Sequence, residues 1–430
     1  MKQLFGIGIG TSLLAIAALG SGAALAAQAQ VAPQSLPVSP TPTAPAATGM
    51  PLPPLPAPPL PPAMWTQVDA EDLLMAIQQV GREGLNPTDY DPAGLESAIR
   101  SGDIALMSAA ATQRFNGLSN DLALGHVRRT ARTDWHIVDK DLDAARQDSL
   151  LRAALAARNV QSALSDLLPT HPQYAALRSA LELTPVTETG KADRIRLNMD
   201  RWRWLPHDLG AKYIIVNVPG FHATLVENGV NRWKERAIAG SVKTPTPQLT
   251  ATATGVVLNP WWEVPPSITG EVAGKKGFVK ASNGKTWRQP PGSTNALGQV
   301  KFVMYNQYNI YLHDTNARSR FNDKTRALSH GCIRTQHIVD LSKELLADGG
   351  GKWVPDKVDS TLKSGKSVVA SFVQPLPVYI VYFSAAALND GRIVDYKDIY
   401  SRDGKALAAL KDRNGGAKPK TAPPAKAIGH

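Results

Sequence analysis

At Tyr213 the spacing of apolar residues changes from a helical period to a period of two, which limits this 430-residue chain to a helical half followed by a mostly β half. Upstream, Leu73, Leu74, Ile77 and Val80 follow helical spacing, with Asp69 as the expected N-cap and Gly81 and Gly84 ending the run. Residues 104–124 and 142–155 repeat the pattern, the second with Arg146 and Arg152 opposite its leucines and alanines, and Pro169 and Pro172 punctuate the last helices. Downstream, residues 213–218 and 221–226 are strand-like, and Asn228-Gly229 predicts a hairpin turn into 230–238. Further strands are expected at 300–304, 310–313, 367–373 and 378–383, with one interrupting helix at 336–347 before Gly349-Gly350-Gly351. The expected class is α+β and multidomain, because the roughly 350 residues between the two ends exceed one ordinary core.

The ends carry different signals. Lys2, the apolar stretch 4–19 and Ala24-Leu25-Ala26-Ala27 fit a cleavable export signal over 1–27. An uncleaved anchor is the alternative, since the run approaches the roughly 20 apolar residues of a membrane span. Either form directs the rest of the chain out of the cytoplasm, to the periplasm and cell envelope, with membrane contact only through that segment. Residues 28–64 are rich in proline and alanine and read as a disordered linker, and 411–430 as a disordered basic tail. The formal net charge of +11 suits an anionic polymer or surface. Its basic residues are spread out, without a dense cluster interleaved with aromatics, so nucleic acid is not an expected partner.

The chain has one cysteine, Cys332, inside Ser329-His330-Gly331-Cys332-Ile333-Arg334. A sole thiol in an oxidising compartment has no intrachain disulfide partner, so its place beside histidine and glycine points to chemistry. His126, His136 and His171 stand apart from it and from one another and read as surface or packing residues. A zinc site from His313, His330 and Cys332 lacks a second cysteine or a well-placed carboxylate, so no metal is expected.

His313-Asp314-Thr315 followed by the cysteine motif resembles the signature of the L,D-transpeptidases, whose YkuD-type domain carries an upstream histidine and a Ser/Thr-His-Gly-Cys run. Arg201-Trp202-Arg203-Trp204-Leu205-Pro206, Asn259-Pro260-Trp261-Trp262, Trp287-Arg288-Gln289-Pro290-Pro291 and Gly84-Leu85-Asn86-Pro87 are similar to the larger, YcbB-like subgroup. The resemblance implies a helical scaffold domain over 65–194 and a YkuD-like catalytic domain over 195–410. Within the latter it implies a short capping insertion near 267–286, bracketed by Trp261, Trp262 and Trp287. No room is left between these domains for the peptidoglycan-binding module that the subgroup often inserts. Asn316 stands where the family commonly has proline.

In chemical terms Cys332 is the candidate nucleophile, because a neighbouring histidine raises the small thiolate fraction of a free thiol at neutral pH. The resemblance makes His313 the general base and acid, oriented by the Asp314 backbone carbonyl. The Asp314 side chain is discounted, since adjacent strand residues face opposite ways. His330 is the competing base, which the resemblance makes a supporting partner. Gly331 and the amides around it are candidate oxyanion donors, Ser329 a turn hydrogen-bonder, and Arg334 either a substrate-carboxylate binder or a structural ion-pair partner. The implied reaction is attack on a tetrapeptide stem of peptidoglycan, release of D-alanine, and transfer of the acyl group to an amine on a neighbouring stem, without a cofactor. A wall lipoprotein, a free D-amino acid or water are alternative acceptors, water giving carboxypeptidase activity. The rival class is a catalytically silent wall-binding or scaffolding homologue.

Overall fold

The computed structural model describes residues 61–416 except 139 and 389–391. The expected export signal, most of the expected linker and the tail beyond 416 lie outside the described residues. The helical half comprises α1 (Gln67–Gln79), α2 (Pro92–Arg100), α3 (Ile104–Leu124), α4 (Ala144–Ala157), α5 (Val160–Ser165), α6 (Pro172–Glu182) and α7 (Thr189–Trp202). Thr66, not Asp69, is the N-cap of α1. The Thr66 side chain accepts from the Asp69 N–H and the Asp69 carboxylate reaches back to the Thr66 N–H, a reciprocal capping box that moves the helix start. The apolar faces of α1 to α5 meet in one core that includes Leu73, Ile77, Leu95, Phe115, Leu118 and Leu151.

The β half opens with β1 (Lys212–Asn217), β2 (His222–Glu227), β3 (Val230–Gly240) and β4 (Leu249–Leu258). A small excursion follows, made of β5 (Trp262–Glu263), α8 (Thr269–Val272), β6 (Val279–Lys280) and β7 (Trp287–Gln289). The central strands are β8 (Val300–Met304), β9 (Leu312–His313), β10 (Ala327–Ser329) and β11 (Ile333–Thr335). After them come α9 (Ile338–Ala347), α10 (Pro355–Ser364), β12 (Val368–Val381), β13 (Ala385–Ala387), β14 (Ile393–Asp395) and α11 (Asp403–Leu410). Among the described residues the main sheet has the order β10-β3-β11-β9-β8-β4-β12-β1-β2, and β3 also pairs with β2, so the sheet closes on itself. The long β3 makes closure possible, because residues 230–236 pair with β2 while Ala237 and Ile238 pair with β11.

Three sequence expectations differ. The segments 367–373 and 378–383 belong to one strand, β12, whose register against β4 shifts between Ser371 and Leu376. Pro375 interrupts the pattern there, and a bulge absorbs it. Not one helix but three follow β1, apart from the short α8. α10 starts at Pro355 in the first-turn position that proline favours, and α11 lies past the last strand. Residues 411–416 are ordered: the Asp412 carbonyl accepts from His126 Nε2 at 2.8 Å, and the Gly415 carbonyl from the Arg128 N–H at 2.9 Å.

The period of two separates two cores. Ile214, Val216, Val378 and Ile380 face the sheet interior, which they share with Ile338, Leu341 and Leu345 of α9. Tyr213, Val226, Tyr379 and Val381 face outward onto Tyr174, Leu177, Ile195, Trp202 and Trp204. The expected domain boundary at 194/195 therefore falls inside α7, a helix that belongs to both halves. The Arg-Trp-Arg-Trp run fastens them. Fully buried Arg203 pairs with Asp200 at 3.4 Å, donates to the Tyr174 hydroxyl at 2.6 Å and reaches the Glu83 carbonyl. Trp204 donates to Asp200 at 2.8 Å, and Arg201 pairs with Asp403 at 2.8 Å. The linker's end is also anchored: Ala63 and Trp65 are buried, and Arg152 donates to the Pro61 carbonyl at 2.9 Å.

Candidate active site

Non-local pairing in the middle of the sheet assembles the site. β9 and β11 run parallel, with Leu312 opposite Ile333 and His313 opposite Arg334. The Ile333 N–H donates to the Tyr311 carbonyl at 3.0 Å, which carries the alignment one step back and sets Cys332 beside Tyr311. Residues two apart in a strand share a face, so Tyr311, His313, Cys332 and Arg334 project together, and His313 lies diagonally across from the thiol.

The nucleophile loop is tied internally. The Ser329 hydroxyl donates to the Cys332 carbonyl at 2.6 Å and accepts the Gly331 N–H at 3.1 Å. This corrects the expectation for Gly331: its amide is committed to Ser329 and is not a free oxyanion donor. Gly331 serves backbone shape instead. Its φ of +117° is a region that side chains avoid, and an added Cβ would lie 3.1 Å from Ile310 Cδ1. Thr246 Oγ1 donates to the Gly331 carbonyl at 2.7 Å and fixes the loop from outside.

The Cys332 thiol faces the Asn309 carbonyl at 3.5 Å. Burial pushes its pKa up, while the Tyr311 amide and hydroxyl, then Lys301 and Arg334, act to hold it down. His313 is buried, and its Nδ1 makes no hydrogen bond of good geometry among the described residues. Burial first, and then the neighbouring Arg334 charge, push its pKa to about 3, with Lys301 adding to the effect and the Asp314 backbone opposing it. The imidazole is thus neutral across the physiological range and has the capacity to accept a proton.

The remaining sequence candidates separate. The Asp314 carboxylate turns away, accepting from the Gln299 N–H at 2.9 Å and from Arg318 at 2.6 Å, so it forms no triad. His330 points to Glu271 of α8, with Nε2 3.3 Å from the carboxylate. Arg334 makes no salt bridge among the described residues, and its Nε is buried without a partner, which leaves the guanidinium available to a substrate anion.

The excursion over residues 262–289 stands next to this face. β5, β7 and β6 form a three-stranded sheet, and Val264, Ile268 and Val272 form a small core packed by Trp262, Phe278 and Trp287. Trp261 carries the Arg288 guanidinium over its ring at 4.3 Å. On the other side of His330 and Gly331 a cavity of about 500 Å³ is lined by Thr133 and Asp134 of the helical half and by Tyr308, Tyr400 and Arg402. His126 corrects the reading of the isolated histidines as surface or packing residues. It is a buried ion-pair partner, 2.7 Å from Asp121. His136 and His171 do pack, against Tyr308 and Trp202.

Sequence reasoning missed Lys301, Tyr311 and Glu271. A signal existed for Tyr311, since it lies two residues before His313 and shares its strand face. Lys301 was legible only as a lysine in an otherwise apolar strand. Glu271 had no local signal. Among the described residues no group of three or more His, Cys, Asp or Glu side chains is disposed to hold a metal ion.

Residues 211–368 match the L,D-transpeptidase catalytic domain, YkuD, and residues 62–181 match the scaffold domain. A Haemophilus influenzae protein provisionally named L,D-transpeptidase is 29% identical over 246 residues, covering 50% of this chain and 49% of the relative. The chain thus spans about half the length of the curated relative it matches. Among solved structures, a Mycobacterium smegmatis L,D-transpeptidase is 15% identical, with 40% of this chain and 58% of that chain covered at a TM-score of 0.23. The catalytic domain of an Enterococcus faecium L,D-transpeptidase, acylated by ertapenem, is 13% identical, with 40% and 99% covered at 0.23. At such scores the superpositions carry no weight beside the sequence matches. Two domain matches thus stand in succession on this one chain, a scaffold domain followed by an L,D-transpeptidase catalytic domain of the YkuD type.

Proposed function

We propose that the protein is an exported, cysteine-dependent peptidoglycan L,D-transpeptidase acting in the periplasm. The observation that carries this reading is the sharing of one sheet face by Cys332 and a neutral His313. Cys332 Sγ attacks the carbonyl carbon of the third residue of a tetrapeptide stem, and His313 takes the thiol proton. Collapse of the tetrahedral intermediate breaks the bond to the terminal D-alanine, whose nitrogen receives that proton, and leaves a thioester. An amine on a neighbouring stem then attacks the thioester, gives a proton to His313 and restores the thiol. Because the Gly331 amide is engaged, the oxyanion falls to the Cys332 amide, a donor of the kind worth roughly 3 kcal/mol. Arg334, which pairs with no carboxylate among the described residues, is placed to bind a stem carboxylate.

The test is incubation of the protein with tetrapeptide muropeptides, followed by mass spectrometry of protein and products. A thioester on Cys332 and released D-alanine, both lost in Cys332→Ala, support the reading. An alkylatable thiol with neither adduct nor D-alanine would sink it in favour of a silent wall-binding homologue. The product masses distinguish a stem, a lipoprotein lysine, a D-amino acid and water as acceptor.

A further inference from the structure

One row of side chains crosses β8, β9 and β11. Lys301 is paired with His313 in the antiparallel β8–β9 ladder, and Arg334 with His313 in the parallel β9–β11 ladder. Cross-strand partners project to the same face, so two cations flank the imidazole. Lys301 Nζ lies 4.1 Å from the centroid of the Tyr311 ring, and that ring stands edge-on to His313 with 5.6 Å between centroids. Cys332 sits beside Tyr311 in the next row. Lys301 makes no salt bridge among the described residues, so this half-buried ammonium has a ring face, a neutral imidazole and a thiol as its close company.

We propose that Lys301 is an electrostatic positioning residue that supplies the counter-charge for the Cys332 thiolate and, with Arg334, keeps His313 unprotonated. The inference rests on Cys332 being the nucleophile. One fixed positive charge has both effects: it favours the anion on sulfur and disfavours a cation on the ring. The proton that His313 takes from sulfur is therefore held only transiently and passes on to the departing amine. The other ionisable groups around this face are Tyr311 just before β9, Glu263 on β5, Glu271 and His330 at the α8 contact, and Arg320 beyond Arg334. Among the described residues neither Glu263 nor Glu271 forms an ion pair with Lys301; Glu263 acts on it only at a distance and after Cys332, which makes the thiolate its foremost compensating charge. Burial lowers the Lys301 pKa, and ionised Cys332 opposes that shift.

Alkylation of Cys332 by iodoacetamide across pH, on the full chain, measures the thiol without requiring any transpeptidase activity. Lys301→Met is expected to move the alkylation midpoint up by about one unit, roughly a tenfold slower reaction below the midpoint, with Lys301→Arg staying near wild type. The His313 ring, followed by NMR, is expected to titrate at higher pH in Lys301→Met. A folded Lys301→Met whose midpoint is unchanged overturns the proposal. If that variant does not fold, Lys301→Gln is read in the same way. A shifted midpoint in a protein that releases no D-alanine supports the role of Lys301 and counts against the transpeptidase reading alone.

Discussion

Ser329 Oγ donates to the Cys332 carbonyl at 2.6 Å, so the side chain three residues before the nucleophile holds the nucleophile's own backbone. The same oxygen accepts the Gly331 N–H, which closes the loop around a single hydroxyl. Removing it frees two buried backbone groups and loosens the Sγ position, at a cost of about 1–3 kcal/mol. Ser329→Ala is expected to lower the acylation rate at least tenfold while Cys332 remains alkylatable, and Ser329→Thr to retain most of the rate. Stopped-flow acylation and thiol titration of the two variants decide this.

Gly331→Ala tests loop geometry rather than chemistry. Its positive φ and the nearby Ile310 methyl require the loop to rearrange, costing about 1–3 kcal/mol. The expected outcome is a folded protein with a lowered Tm and no acylation, read by calorimetry and by mass spectrometry of the adduct.

The two histidines of the site should separate under mutation. His313 shares the thiol's strand face, whereas His330 is directed to Glu271. His313→Ala is therefore expected to abolish single-turnover acylation, with His330→Ala losing less. The reverse order would reassign the base. In wild type the acid limb of the acylation rate is expected far below the ordinary histidine range, because His313 protonates only at about 3.

Stability should fall on both sides of neutrality, for opposite reasons. Both ring nitrogens of His126 face acceptors, Asp121 at 2.7 Å and the Asp412 carbonyl at 2.8 Å, so the ring is held as the cation. Burial opposes that charge, yet the Asp121 bond and carboxylate raise its pKa from 6.5 to about 9. A raised folded-state pKa gives a contribution that is full below pH 6.5 and disappears as pH rises through 9, of the order of 3 kcal/mol. His222, pushed to about 4 by burial and the Lys234 charge, has the other sign: the unfolded chain takes up its proton first, and stability drops as pH falls from 6.5 to 4. Urea titrations across pH should show a dome, with His126→Gln flattening the alkaline side and His222→Asn the acid side.

Arg203→Met should loosen the helical half where α6, α7 and Glu83 meet. It leaves Asp200 without its buried guanidinium and the Tyr174 hydroxyl and Glu83 carbonyl without their donor, a loss of about 3–5 kcal/mol. Differential scanning calorimetry is expected to show a lowered transition; an unchanged one would contradict this role.

Much of the chain's organisation is local and therefore legible in order along the sequence. The change of period at Tyr213, the Asn228-Gly229 turn and the strand at 300–304 follow from side-chain spacing and turn chemistry. The motif around Cys332 and the upstream His313 were readable as a signature. Pairing register was not, because it is decided between segments distant in sequence. That is why Arg334 rather than Cys332 lies directly across from His313, and why Lys301 joins the row. The engaged Gly331 amide, the Glu271 contact and the ordered residues 411–416 likewise depend on what packs against them. By itself the sequence determined a helical half, a β half and a thiol with its histidine, through spacing that a short window contains. Only the tertiary structure decided the electrostatic surroundings of that thiol, because burial and charge at a site are sums over strands that meet only when the sheet closes.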